Sequence, residues 1–349
     1  MFERFLRAFL PPARRPVRLL PVVGCIPGSD VWFVRFTFAF LSHLQQGGHV
    51  IDRLSGRCIG NPAGPSFNFD HMSGGPLLWA PDLLPSRHLF IGHTVCPGFN
   101  RISSEFDWWA STPFSAPGDD YLHDGMNYAH VPVDLAPHAF VPVSVGDVDA
   151  AAWTDPRQRM VLVYGDPIEK AVASFGLWQS QVRPPYSRLG ERQDVDWPFH
   201  DYLFKHALPS FAKMMMSYQA MAQAVPGSVQ IVPEDALRVE PVRVLSSVLA
   251  HLNLDHWDSG LIDAVVNLSR REHIAAIEKE VGRSLTGSRR SRKATRSSAP
   301  ETAVRAAIDP SLRGKALALL ASMGVDAAYF QSSPLSVPLR AVAGNRRSA

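Results

Sequence analysis

Apolar runs separated by polar, Pro- or Gly-containing breaks recur along this chain, and their lengths sort them into strands and helices. Leu19–Ile26, Leu89–Gly92, Met160–Tyr164 and Val229–Val232 are short and nearly continuous in apolar character, as buried strands are. Helical periodicity follows three of them: Val31–Leu44 after the first, Ile168–Ser180 after the third and Pro241–Leu252 after the fourth. A further helical stretch, Phe199–Ala224, stops at Pro226-Gly227, and Pro209 inside it predicts a kink or a break. Apolar strands alternating with helices predict an α/β fold with three layers, α/β/α, around a central and mostly parallel sheet.

Two stretches break this rhythm. Ser55–Pro85 is rich in Gly, Pro, Asn and Asp, and Val95–Pro142 carries Phe106, Trp108, Trp109, Phe114, Tyr121 and Tyr128. Both read as long irregular connections, which either cover a substrate or pack their aromatics as an insert. No internal repeat is visible. Residues 1–17 read as an N-terminal extension, 18–330 as one domain, and 331–349 as a flexible tail with few structure-forming signals.

Composition sharpens the picture only in places. With 349 residues and 46% hydrophobic content, the chain can bury a substantial core in one large α/β domain or two ordinary ones. A net charge of +3 is too weak for general nucleic-acid binding. Cys25, Cys58 and Cys96 are odd in number and form no CxxC pair, which speaks against a disulfide framework or a zinc site and for a reducing, cytoplasmic setting. The first residues, MFERFLRAFLPPARRPVR, are interrupted by Glu3, Arg4 and Arg7 and lack the apolar core of a signal peptide. No segment reaches the roughly 18–20 apolar residues of a membrane span, so stable membrane insertion is not expected.

The segment VVGCIPGSDVWFVRFTFAFLSHL, Val22 to Leu44, is the most informative. A strand, a Pro/Gly/Ser turn and a long apolar helix bring the N–H groups of a helix start to a sheet edge, where an anionic group can sit. That order points to a nucleotide-type ligand or to a relic of such a site. Ser29 and the amides around Gly28–Val31 could cradle the anion, whereas Asp30 is equally an N-cap for the helix. Trp32 could stack on a base or line the core, and Arg35, a lone charge on the helix, could reach the ligand.

From Arg18 to Met323 the order of motifs resembles that of the sulfotransferases that use 3′-phosphoadenosine-5′-phosphosulfate (PAPS), whose fold is similar to the P-loop kinases. Pro27, Ser29 and Trp32 match the family's P-K-S-G-T-T-W loop, with Gly28 in the place of its lysine and Asp30 where a glycine is usual. Ile91-Gly92-His93-Thr94 resembles the K-T-H segment that carries the general base. Val163-Tyr164-Gly165-Asp166-Pro167 resembles the strand–R-D-P–helix motif, with Gly165 at the arginine and Ser174 one residue beyond the usual serine. Pro233-Glu234-Asp235-Ala236-Leu237 and the helix ending His251-Leu252-Asn253-Leu254 resemble Y-E-D-L and F-L-G-L. Arg290-Ser291-Arg292-Lys293 sits near the family's R-K-G loop.

The resemblance implies a P-loop-like sulfotransferase fold and PAPS as donor, with no metal. It assigns His93 as the general base. The loop residues Gly28, Ser29, Asp30, Val31 and Trp32 would hold the 5′ end, and Ser174, Arg290, Arg292 and Lys293 the 3′-phosphate. The acceptor would be a hydroxyl or amine of a small molecule or carbohydrate; no nucleic-acid partner is expected, and a homodimer is left open. Histidine suits proton removal and arginine forks match phosphate oxygens. The rival reading is a non-catalytic member of the same fold, a binding or interaction module, because the loop lysine and the R-D-P arginine are both replaced. An unrelated P-loop kinase is disfavoured, since G-x-x-x-x-G-K-[ST] occurs nowhere.

Overall fold

The computed structural model describes residues 22–26, 29, 31–69, 72, 77–79, 88–92, 96, 159–181, 198–254, 257–285, 304, 308–326 and 328–331. At its centre are β1 (Val22–Cys25), β4 (Leu77–Trp79), β5 (His88–Gly92), β6 (Met160–Tyr164) and β7 (Val229–Pro233), in the order β4-β5-β1-β6-β7. The strands β5, β1, β6 and β7 run parallel, and β4 pairs antiparallel with β5 at the edge. Every residue of β6 and β7 is buried, which is why these strands are nearly continuous in apolar character, Gln230 aside, rather than alternating.

Helices cover both faces. Against Val23, Cys25, Leu89, Ile91, Val161, Val163 and Val232 pack α1 (Val31–Gln45), α5 (Glu234–Val239), α6 (Pro241–His251), α7 (Ser259–Leu268) and α8 (Arg271–Val281). Against Ile26, Met160, Leu162, Tyr164, Val229 and Ile231 pack α2 (Pro167–Gln181), α3 (Phe199–Tyr202), α4 (Leu208–Ala224), α9 (Pro310–Ser322) and, more peripherally, α10 (Ala328–Gln331). The alternation of side chains along each strand sends odd and even residues into these two cores, so the three-layer α/β/α expectation holds.

Several expected elements differ in detail. Phe199–Ala224 does break into two helices just before Pro209, but the break is itself helical. A π-helical turn, Leu203–Ala207, joins α3 to α4, with the Leu208 N–H reaching back to the Leu203 carbonyl. Pro209 lacks an N–H, and a widened turn just before it removes the need for one. Ser55–Pro85 is not wholly irregular. Within it lie β4 and β3 (Cys58–Gly60), the latter pairing antiparallel with β2 (His49–Ile51) in a small separate sheet. Strands of three residues leave too short an apolar pattern to read. The helices α7, α8, α9 and α10 were likewise not anticipated as elements. Residues 1–17, the aromatic stretch Val95–Pro142 apart from Cys96, and the tail 332–349 lie outside the described residues. Among the described residues no helix is long and apolar enough to cross a membrane.

Candidate functional site

Strand order reverses at β1. The chain moves from β1 to β5 on one side, then crosses to β6 and β7 on the other. The helices that follow the neighbouring strands β1 and β6 leave to opposite faces, α1 into one core and α2 into the other. In open α/β sheets the crevice beyond the C-terminal ends of two such strands is the usual ligand position.

The β1 side of this crevice is tightly built. The Ile26 N–H donates to the Val163 carbonyl at 3.0 Å, the Ser29 N–H to Ile26 O at 2.9 Å and the Val31 N–H to Ser29 O at 2.8 Å. This folds the turn back on itself and starts α1 at Val31. Ser29 is 9% exposed, and its hydroxyl has no hydrogen-bond partner among the described residues. The first turn of α1 is Val31, Trp32 and Phe33, all half-buried and none acidic. Arg35, one turn further on, is 3% exposed, with its guanidinium carbon 5.9 Å from the centre of the Trp32 ring. Burial lowers its pKa to about 10.

The β6 side is built differently. Asp166 caps α2: its Oδ1 accepts from the N–H groups of Ile168 at 3.0 Å and Glu169 at 3.1 Å, and its other oxygen meets Arg313 of α9. Gly165 is open for a specific reason. A Cβ there would overlap the Lys170 side chain and lie 3.3 Å from Glu234 Oε2. Lys170 lies across this glycine and pairs with Glu234, whose side chains are 10% and 4% exposed, and Glu234 also accepts from Arg238 at 2.7 Å. Of the helix starts at this edge, α2 carries Glu169 and α5 carries Glu234 and Asp235, whereas the first turn of α1 carries no acid. The first turn itself leaves the α1 dipole uncompensated, although Asp30 directly precedes it in the sequence.

Of the expected site residues, Ser29, Val31 and Trp32 come together at the β1 turn. Ser174 lies on the second turn of α2, where its hydroxyl reaches the Lys170 carbonyl at 2.8 Å, the Ala171 carbonyl at 3.2 Å and the Tyr202 phenol at 2.8 Å. A hydroxyl has one proton, so donating to a phosphate requires Ser174 to leave its helix partners. Gly28, Asp30, His93, Arg290, Arg292 and Lys293 lie outside the described residues. His93 directly follows Gly92, which pairs with Gly24 of β1. Leu285 and Val304, on either side of the basic run, belong to opposite cores.

Sequence reasoning did not pair Lys170 with Glu234 over Gly165. The available signal was a lysine one turn into the helix after Gly165-Asp166-Pro167, facing a glycine. Among the described residues no group of three His, Cys, Asp or Glu side chains is arranged to hold a metal ion. No known family model matches the chain, and neither does any curated protein sequence.

Proposed function

We propose that this chain is a sulfotransferase of the P-loop-like fold. It would bind PAPS in the β1–β6 crevice and pass the sulfuryl group to a hydroxyl or amine of a small molecule or sugar. The observation that carries this reading is the α1 start: a switch-point crevice, a tight turn, an acid-free first turn and a buried serine hydroxyl in one place. The Gly28–Trp32 loop takes the 5′ end of the donor. His93 takes the acceptor proton as the acceptor oxygen or nitrogen bonds to sulfur and the bond from sulfur to the donor's phosphate oxygen breaks, releasing 3′-phosphoadenosine-5′-phosphate. Catalysis of this type rests on positioning and on stabilising oxyanion charge. Arg290, Arg292 and Lys293 are the proposed clamp on the 3′-phosphate, in a segment whose flanks belong to opposite cores.

The non-catalytic reading has its own observation. At the ends of β6 and β7, Lys170, Arg238 and Arg313 each already face a carboxylate, and Ser174 is engaged within its helix. A thermal-shift titration with 3′-phosphoadenosine-5′-phosphate separates the two. The sulfotransferase reading predicts a rise in melting temperature, since a ligand at a hundred times its Kd adds about 2.7 kcal/mol. No rise at millimolar ligand favours the non-catalytic module.

A further inference from the structure

One turn of α4 meets both β1 and the chain that leaves β5. Ser217 and Cys96 are fully buried. The Cys96 N–H donates to the Ser217 hydroxyl at 2.9 Å, and that hydroxyl donates to the Met214 carbonyl of its own helix at 2.7 Å. Tyr218, the next residue, stands against Gly24 of β1, where a Cβ would overlap its phenol. We infer that Ser217 is a positioning residue for His93: it pins the chain at Cys96 and so fixes the short link that His93 begins. This rests on the role given to His93 above.

The path of the chain carries the argument. Gly92, the last residue of β5, pairs with Gly24, whereas Phe90 and Met160 both pair with Val22. Met160 is therefore level with Phe90, two positions behind the end of β5. Cys96 Sγ lies 3.4 Å from Met160 Sδ, in the core on the α4 side of the sheet, whereas Leu89 and Ile91 of β5 belong to the other core. Only His93, Thr94 and Val95 separate Gly92 from Cys96. They must carry the chain from the strand end to the side chain of a residue that stands behind it. A link of three residues tied at both ends leaves its first member little freedom.

The chemistry of the anchor fits a holding role. An amide N–H buried among apolar side chains is costly when unpaired, and Ser217 is the acceptor this one finds. A serine inside a helix bonds readily to its own backbone, which leaves the hydroxyl oxygen to accept from outside. The buried neighbours on α4 include Met214, Met215, Met216 and Met221, whose thioethers are weak acceptors. A general base works only in the right geometry, and a displacement of about 1 Å can cost about a hundredfold in rate.

Ring proton–carbon correlation spectra of the histidine-labelled chain test this, with the His93 signal identified by its loss in His93→Gln. Ser217→Ala is expected to broaden that signal and move it toward its position in the unfolded chain. The signals of His43, His49 and His273, in α1, β2 and α8, are expected to stay. Cys96→Ala keeps the N–H and loses only the sulfur contact, so the His93 signal should hold there. Ser217→Cys puts a weak acceptor in the same place and is expected to act as the alanine variant does, in smaller measure. It carries the test if Ser217→Ala does not fold. An unmoved His93 signal in the Ser217 variants, or an equal change in Cys96→Ala, overturns the assignment while the functional reading stands. A wild-type His93 signal that does not respond to millimolar 3′-phosphoadenosine-5′-phosphate overturns the functional reading and this role with it.

Discussion

The Tyr218 phenol fills the space that a side chain at Gly24 would enter: a Cβ there would overlap its hydroxyl oxygen. Tyr218 is fully buried in α4 and lies against the middle of β1, so the strand that leads into the candidate site is gripped from behind. The hydroxyl has no hydrogen-bond partner among the described residues, and burial pushes its pKa well up. Gly24→Ala is expected to cost about 1–3 kcal/mol by overpacking. Tyr218→Phe removes an unpaired polar atom and is expected to be neutral or stabilising, and the double variant should recover part of the glycine loss. Urea unfolding of the four proteins measures this, and a neutral Gly24→Ala contradicts it.

The buried pair of Lys170 and Glu234 holds α2 to α5 across the ends of β6 and β7. Removing the Glu234 carboxylate takes this buried partner from Lys170, whereas removing Lys170 leaves Glu234 with Arg238. Glu234→Gln is expected to cost about 3–5 kcal/mol, Lys170→Met less, and the double variant Lys170→Met/Glu234→Gln less than the sum. A double-mutant cycle by chemical denaturation checks this; additive losses would show that the two side chains do not act as a pair.

Ser174 distinguishes a structural hydroxyl from a phosphate ligand. Its bonds to Lys170 O and to the Tyr202 phenol, whose pKa burial raises to about 12, tie α2 to α3. Ser174→Ala is expected to lower stability by about 1 kcal/mol and to leave nucleotide affinity unchanged. A tenfold drop in affinity would return Ser174 to the 3′-phosphate site.

Acid should weaken the fold through two histidines. His251 Nε2 donates to the Met160 carbonyl at 3.0 Å, and His273 Nε2 accepts from the Arg53 N–H at 3.0 Å, joining the β2–β3 hairpin to α8. Burial is the main cause that lowers both pKa values below the ordinary 6.5. Around His273 the Asp52 carboxylate, 3.6 Å away, opposes that shift and Arg53 reinforces it. The unfolded chain then binds protons below about pH 6.5 that the native chain does not, and stability falls as pH drops through that range. Urea midpoints at pH 7.5 and 5.5 should differ, and less so in His251→Gln/His273→Gln. A flat wild-type profile would contradict this.

The parallel strands were legible because most of their residues are apolar in short, nearly unbroken runs, as Met160–Tyr164 shows. The helices beside them were legible from the same contrast, and α1 and α2 begin within one residue of where the pattern starts them. Short strands such as Cys58–Gly60 were not, because three residues carry no period and their pairing is set by the partner strand. At the candidate site the turn at Ser29 was readable from Pro, Gly and Ser before an apolar helix. The role of Gly165 was not: its emptiness makes sense only once Lys170 and Glu234, 64 residues apart in sequence, are seen to meet over it. The arrest of Ser174 within its own helix also depends on Tyr202, a residue no local pattern connects to it.

Amide hydrogen exchange with and without millimolar 3′-phosphoadenosine-5′-phosphate tests the central claim most directly, because it reports where a ligand acts as well as whether it binds. The expected result is slowed exchange concentrated in peptides spanning residues 26–35, at the end of β1 and the start of α1. Protection confined to other parts of the chain, or none at saturating ligand, would contradict a nucleotide site at the switch point of this sheet.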